Sequence, residues 1–355
     1  MSALRAAGLG PWPGTDAREA AAASFAELGE GLPPLPLLAA PAVGETRWAV
    51  DAVGCAAALL DGLPVDRDSY GWRLAAGAGR DLRRERSRTA RALEAAEEYG
   101  AGFEGRALLS LPGPWTLLSA LSLPGGGRAL ADPGAVRDVL QAYAAGAEQL
   151  LARAQRALGQ APRVRLLETA LDAVLAGRVP TVSGLRTLPA VPEAAVVGGL
   201  RSFLRRTGED TIIALPRLGS VEVRGARLRR EDLLADAGAG AIAVPLPADS
   251  PAGRAHWERL AEAADSGTEV WLRLPADAGA EPGEVTRWVD AVRRPWTALG
   301  MPAAAAAAAA ALGVLTGWEL PVDDPPLLPA DAAPAGARTR LRLAARIAAA
   351  LEEDA

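Results

Sequence analysis

Four short apolar runs, each followed by a proline, constrain the fold of this chain more than any other feature. The runs occupy residues 107–111, 211–215, 241–244 and 269–274, and the prolines are Pro112, Pro216, Pro245 and Pro275. Runs of this length are typical of strands buried on both faces, and proline ends a strand because it has no N–H to donate. Helical patterns separate the runs. Strands that alternate with helices predict parallel pairing through right-handed crossovers.

We therefore predict an α/β fold, a single (β/α)8 TIM barrel with an N-terminal extension. Further strands are predicted at residues 163–168 and 312–315, and no break in composition divides residues 1–355. Residues 1–105 would hold the N-terminal extension and the first βα units, and residues 106–355 the remaining barrel. A doubly wound open sheet is the alternative, but no Gly-x-Gly-x-x-Gly follows a strand, as its dinucleotide-binding version requires.

Charge and cysteine content narrow the function classes. The net charge of -5 argues against nucleic acid or an anionic membrane as a partner. Cys55 is the only cysteine, so one chain cannot form a disulfide, a cysteine-based zinc cage or an iron–sulfur cluster. Without a signal-peptide pattern or a membrane-spanning run, we expect a cytoplasmic protein. The chain has no lysine, so its arginine content alone is a weak indication of anion binding.

In a barrel, the binding pocket lies at the carboxyl ends of the strands. Glu168, Trp115, Thr116 and Arg217 end or follow predicted strands, and Trp12 lies in a turn-rich opening segment. Glu168 is either a ligand-binding acid or part of a structural salt bridge. The two tryptophans either stack on a flat ring or pack in the core, and Arg217 meets a carboxylate or solvent. We expect Glu168, Trp115 and Trp12 to face one cavity.

Three other segments have plainer interpretations. Residues 29–41, rich in proline and leucine, are predicted to form an extended loop, and the leucines of residues 117–123 an irregular apolar connection. The charged helix predicted at residues 80–99 is interpreted as a solvated face rather than a binding patch. His256 is expected on a surface helix, and Cys55 as a small buried apolar side chain.

Several stretches, in chain order, carry a resemblance to a known family. They are GPWPGT at residues 10–15 with Arg18, GWRL at 71–74, GPWT at 113–116, RALADP at 128–133 and AGRVPT at 176–181. The chain resembles the C-terminal barrel of cobalamin-independent methionine synthase over nearly its whole length. It is closer still to the short, single-barrel methionine-synthase-like proteins of actinobacteria, which share a superfamily with uroporphyrinogen decarboxylase.

The resemblance implies a zinc-dependent transfer of a methyl group from a methylated folate to the thiol of homocysteine. Zinc lowers the pKa of the thiol, so that the sulfur attacks as a thiolate. The family's zinc ligands, a His-x-Cys, a Glu and a Cys before Gly, correspond to positions near Leu215, Pro245 and Thr316, and none of these residues is a zinc ligand. Of the family's Asp-Glu-Pro motif, which serves the amino-acid substrate, only Glu168 remains.

The predicted function is therefore that of a degenerate methionine-synthase-like barrel whose zinc site is lost. Two alternatives stay open: methyl transfer by a zinc-free route, and a non-catalytic barrel that binds a small molecule or a partner. A metal-free decarboxylation, as in the sister enzymes, is a third idea that no paired acids support. No cofactor is expected, the expected ligand is an amino acid or a folate-like molecule, and the catalytic residues and oligomeric state are left open.

Overall fold

The computed structural model describes residues 5–8, 12–29, 31–37, 39–40, 52–217, 219–274, 282–300, 312–316 and 333–353. The strands are β1 (Arg5–Gly8), β2 (Trp12–Pro13), β3 (Ala39–Ala40), β4 (Val65–Asp68), β5 (Gly71–Leu74), β6 (Leu108–Pro112), β7 (Arg163–Leu167), β8 (Ile212–Ala214), β9 (Ser220–Val223), β10 (Ala226–Arg229), β11 (Ala241–Pro245), β12 (Glu269–Arg273) and β13 (Leu312–Thr316). The helices are α1 (Ala17–Leu28), α2 (Ala52–Ala57), α3 (Arg80–Tyr99), α4 (Pro114–Ala120), α5 (Pro133–Leu158), α6 (Leu171–Ala176), α7 (Glu193–Thr207), α8 (Arg230–Ala237), α9 (Pro251–Asp265), α10 (Pro282–Ala298) and α11 (Pro334–Glu353).

Seven of these strands form one parallel sheet, in the order β1-β13-β12-β11-β8-β7-β6. The chain is thus a mixed α/β protein with a parallel sheet, as its strand–helix alternation predicts. Three short strand pairs lie outside the sheet: β2–β3 is parallel, whereas β4–β5 and β9–β10 are antiparallel. None of the helices in the described ranges combines the length and apolarity needed to cross a bilayer.

Residues 31–37 hydrogen-bond to both edges of the sheet. Ala7 of β1 forms a parallel bridge with Leu32, and Pro34 forms one with Leu108 of β6. The amide of Leu32 donates to the carbonyl of Ala6 at 2.7 Å, and the amide of Leu35 donates to that of Leu108 at 2.9 Å. The segment predicted to be an extended loop therefore lies between β1 and β6.

Local signals in the sequence explain where several helices begin. The carboxylate of Asp16 accepts hydrogen bonds from the amides of Arg18 and Glu19 and caps α1. Asp132 caps α5 in the same way, with Pro133 in the first turn, where a missing N–H costs nothing. Aliphatic side chains of β1, β6, β7, β8, β11 and β12, together with those of α1 and α5, belong to one apolar core.

One local prediction is wrong, and several short strands lie where the sequence predicts none. Residues 114–120 form α4 instead of an irregular connection; because Leu117, Leu118 and Leu121 are all buried, no polar face marks the helix in the sequence. A hairpin of β9 and β10, which no apolar run indicates, precedes α8. Strand β1 is short and alanine-rich, so no long apolar run in the sequence indicates it. The alanine run at residues 303–311 lies outside the described residues.

Candidate functional site

Glu168 directly follows β7, and its side chain is completely buried. One carboxylate oxygen, Oε1, accepts a hydrogen bond from the amide of Trp115 at 3.0 Å. The other, Oε2, accepts from the amide of Thr116 at 3.0 Å and from its hydroxyl at 2.9 Å. Since Trp115 and Thr116 are in the first turn of α4, the carboxyl group satisfies amides that have no partner within the helix. Gly113 permits this approach, because a Cβ there would overlap the Glu168 carboxyl group.

Burial raises the pKa of Glu168 from 4.5 to about 7. The hydrogen bonds from Trp115 and Thr116 favour the ionised form and oppose that rise. The carboxyl group is therefore poised between its two protonation states near neutral pH. Its placement serves the start of α4, whereas the sequence left open a ligand-binding role or a salt bridge.

Trp115 packs inside the protein beside α7. Its Nε1 donates to the carbonyl of Val196 at 3.2 Å, and its ring lies against Gly199, whose missing Cβ leaves room for it. Of the five candidate residues, the structure brings Glu168, Trp115 and Thr116 together as a junction between β7, α4 and α7. Arg217 is exposed after β8. Trp12 lines a cavity that neither Glu168 nor Trp115 lines. The three residues expected to face one cavity therefore do not share this one.

The positions that correspond to the family's zinc ligands hold other side chains. Leu215 is buried, Pro245 ends β11 and Thr316 ends β13. Cys55 is buried in α2 and His256 lies on α9, so the only cysteine and the only histidine occupy different helices. Within the described ranges, no group of three or more His, Cys, Asp or Glu side chains is arranged to hold a metal ion.

A cavity of about 470 Å³ adjoins Trp12. It lies between the segment after β1, the start of α1 and one face of α3, and Pro36 and Leu37 also line it. Its charged lining consists of four arginines and two acids, namely Arg18, Arg84, Arg88, Arg91, Asp16 and Glu94. The lining is therefore net positive, although the whole chain carries a net charge of -5.

The partners of these arginines differ. Arg18 pairs with Glu98, and its guanidinium carbon lies 5.6 Å from the centre of the Tyr99 ring. Arg88 pairs with Glu85, 2.9 Å away. Arg84 and Arg91 form no ion pair with any residue in the described part of the chain. These two guanidinium groups are thus available to an anion.

Arg84, Arg88 and Arg91 follow the spacing i, i+4, i+7, which places them on one stripe of α3. With a rise of about 1.5 Å per residue, the stripe spans roughly 10 Å between Arg84 and Arg91. Trp12 has 8% of its surface exposed, and its Nε1 is buried without an acceptor among the described residues. The cavity therefore offers a row of cations beside a mostly buried aromatic side chain.

Interpreting helix 80–99 from its sequence as a solvated face overlooks this cavity. The signal was present as the spacing of Arg84, Arg88 and Arg91, but nothing in the sequence shows what packs over that stripe. Only the fold brings the start of α1 and Trp12 beside α3.

No family model and no curated protein matches this chain. One solved structure with a similar arrangement is a modular endo-β-1,4-mannanase from Cellulomonas fimi, at 13% sequence identity and a TM-score of 0.40. The match covers 75% of this chain and 59% of the mannanase chain, so it spans less than two thirds of that protein. A likeness at this level says nothing about activity.

Proposed function

We propose that this chain is a methionine-synthase-like (β/α)8 barrel that no longer performs zinc-dependent methyl transfer and binds a small polyanionic molecule at the carboxyl end of the barrel. Seven strands form one sheet, and residues 31–37 hydrogen-bond to both of its edges. This pairing supports a closed barrel in which residues 31–37 occupy the eighth strand position. At least one helix follows each of the eight segments, as the fold requires.

The loss of zinc chemistry follows from the available ligands. A catalytic zinc site needs about three protein ligands, usually His, Cys, Asp or Glu. Cys55 and His256 are the only residues of their types, and each lies on a helix rather than at a strand end. Leu215 and Pro245 offer the metal no side-chain donor.

The single observation that carries the binding proposal is the arginine-lined cavity beside Trp12. Guanidinium groups bind carboxylates and phosphates through charge-assisted, often bidentate hydrogen bonds. A stripe of about 10 Å suits a ligand with more than one anionic group. The indole of Trp12 suits a flat ring. A folate with several glutamate residues combines both features, and folates are the co-substrate class that the family resemblance implies.

The test is isothermal titration calorimetry with pteroylglutamate and pteroyltriglutamate. We expect the triglutamate to bind more tightly, and Arg84→Gln and Arg91→Gln each to weaken its binding about two- to fivefold, since exposed ion pairs contribute roughly 0.4–1 kcal/mol. Added salt should reduce the affinity, because these charges are exposed.

Arg153→Gln is the matched control, since Arg153 is an exposed arginine on α5 outside the cavity. Its affinity should equal that of the unmodified protein. Failure of both folates to bind, or an equal loss in all three variants, would refute the proposal.

A further inference from the structure

A second cationic feature lies inside the sheet, away from the cavity beside Trp12. Arg163 and Arg165 are alternate residues of β7, so their side chains lie on the same face of the sheet. The guanidinium of Arg163 forms a bidentate pair with Glu269 of β12, at 2.8 and 2.7 Å. It also lies 5.5 Å from the centre of the Trp271 ring. Arg163 and Glu269 are the first residues of their strands, so this neutral pair occupies the amino end of the interior.

Arg165 lies further along β7 and is completely buried. Its Nη1 donates to the carbonyl of Gly8 in β1 at 3.0 Å, and its Nη2 donates to the hydroxyl of Ser110 in β6 at 2.7 Å. Because β7 and β1 are not neighbours in the sheet, the contact with Gly8 shows that the side chain crosses the interior. Both bonding partners are neutral oxygens.

The Nε–H of Arg165 is buried and has no acceptor among the described residues. A guanidinium group has five N–H donors, and the contacts above use two of them. Burial and, second, the positive charge of Arg273 lower the pKa of Arg165 to about 9. Among the described residues its hydrogen-bonding partners are neutral, and a buried charge with neutral partners and a like charge nearby is costly.

We propose that Arg165 is the centre of a buried anion subsite that binds the carboxylate of a small molecule inside the barrel. The free Nε–H and the unused Nη hydrogens supply the fork that a carboxylate matches. Arg273, the last residue of β12, adds a second positive charge, and 8% of its surface is exposed. The subsite does not depend on the cavity beside Trp12.

The probe is formate, the smallest carboxylate, and the readout is the melting temperature across a formate titration. The unmodified protein should show a saturable rise, since a ligand that binds only the native state stabilises it. Arg165→Met should lack this rise. Its melting temperature without formate should equal or exceed that of the unmodified protein, because an apolar residue of similar length replaces an uncompensated buried charge. General effects of the salt affect both proteins equally.

Arg153→Gln, which replaces an exposed arginine on α5 outside both sites, serves as the control, and it should respond to formate as the unmodified protein does. If Arg165→Met does not fold, Arg165→Lys keeps the charge but loses the fork, and formate should bind it at least tenfold more weakly.

Three results would overturn the proposal: no saturable response in the unmodified protein, an undiminished response in the Arg165 variant used, or a lower melting temperature of a folded Arg165→Met in formate-free buffer. The last would show that the chain itself supplies the counter-charge.

Discussion

Replacing Glu168 with glutamine should change the pH dependence of stability in a defined direction. The folded-state pKa of Glu168, about 7, lies above the usual 4.5 because the side chain is completely buried. A carboxyl group with a raised pKa binds its proton more tightly in the folded state, so its contribution to stability is fully present at low pH. That contribution is lost as the pH rises through about 7. Glutamine cannot ionise, so the variant lacks this loss.

The size of the effect follows from the shift. At about 1.4 kcal/mol per pKa unit, the full contribution is about 3 kcal/mol, of which about 2 kcal/mol should be lost between roughly pH 5.5 and 8. Urea unfolding of both proteins across this range measures it. The stability of the unmodified protein relative to Glu168→Gln should fall by that amount as the pH rises. Glu97→Gln, at an exposed site on α3, is the control for the removal of one carboxyl group. Parallel curves for Glu168→Gln would refute a buried, titrating carboxyl group.

Two further predictions concern the packing around this junction. Asp172 and Arg230 form a buried bidentate pair, at 2.7 and 2.5 Å, so Asp172→Asn should lower the free energy of unfolding by about 3–5 kcal/mol in a urea titration; a loss below 1 kcal/mol would show that solvent screens the pair. A Cβ at Gly199 would lie 2.7 Å from the Trp115 ring, so Gly199→Ala should destabilise the protein by about 1–3 kcal/mol. Gly198→Ala, its exposed neighbour in α7, should stabilise by about 0.5–1 kcal/mol, and equal effects at both glycines would show that Trp115 does not pack there.

The sequence predicts the limits of the sheet strands well where a short apolar run is present. The predicted limits of β6, β7, β8, β11, β12 and β13 agree with the structure to within one residue at each end. Residues 31–37 could not be recognised in this way, because their prolines look incompatible with a sheet. In fact the carbonyl of Pro33 accepts from the amide of Leu108, while Leu32 and Leu35 supply the donors. Proline lacks only the N–H, so a segment with suitably spaced prolines can still pair on both sides.

The site depends on tertiary contacts that no local pattern contains. Glu168 was identifiable as a residue at a strand end, but its bonding partners are amides of α4, a helix without a polar face in the sequence. The arginine stripe of α3 is readable from spacing alone, whereas its value as a binding surface comes from Trp12 and the start of α1. Arg165 looks like part of an ordinary strand, and only the sheet order reveals that it crosses the interior.

The most direct test of the central claim is whether ligand binding is independent of zinc. The protein is treated with a chelator, titrated with pteroyltriglutamate in a calorimeter, and titrated again after incubation with zinc. We predict the same affinity in both titrations, no stoichiometric zinc by elemental analysis, and no methionine formed when homocysteine and a methylated folate are added. One tightly bound zinc per chain, with binding or methyl transfer that requires it, would contradict the account.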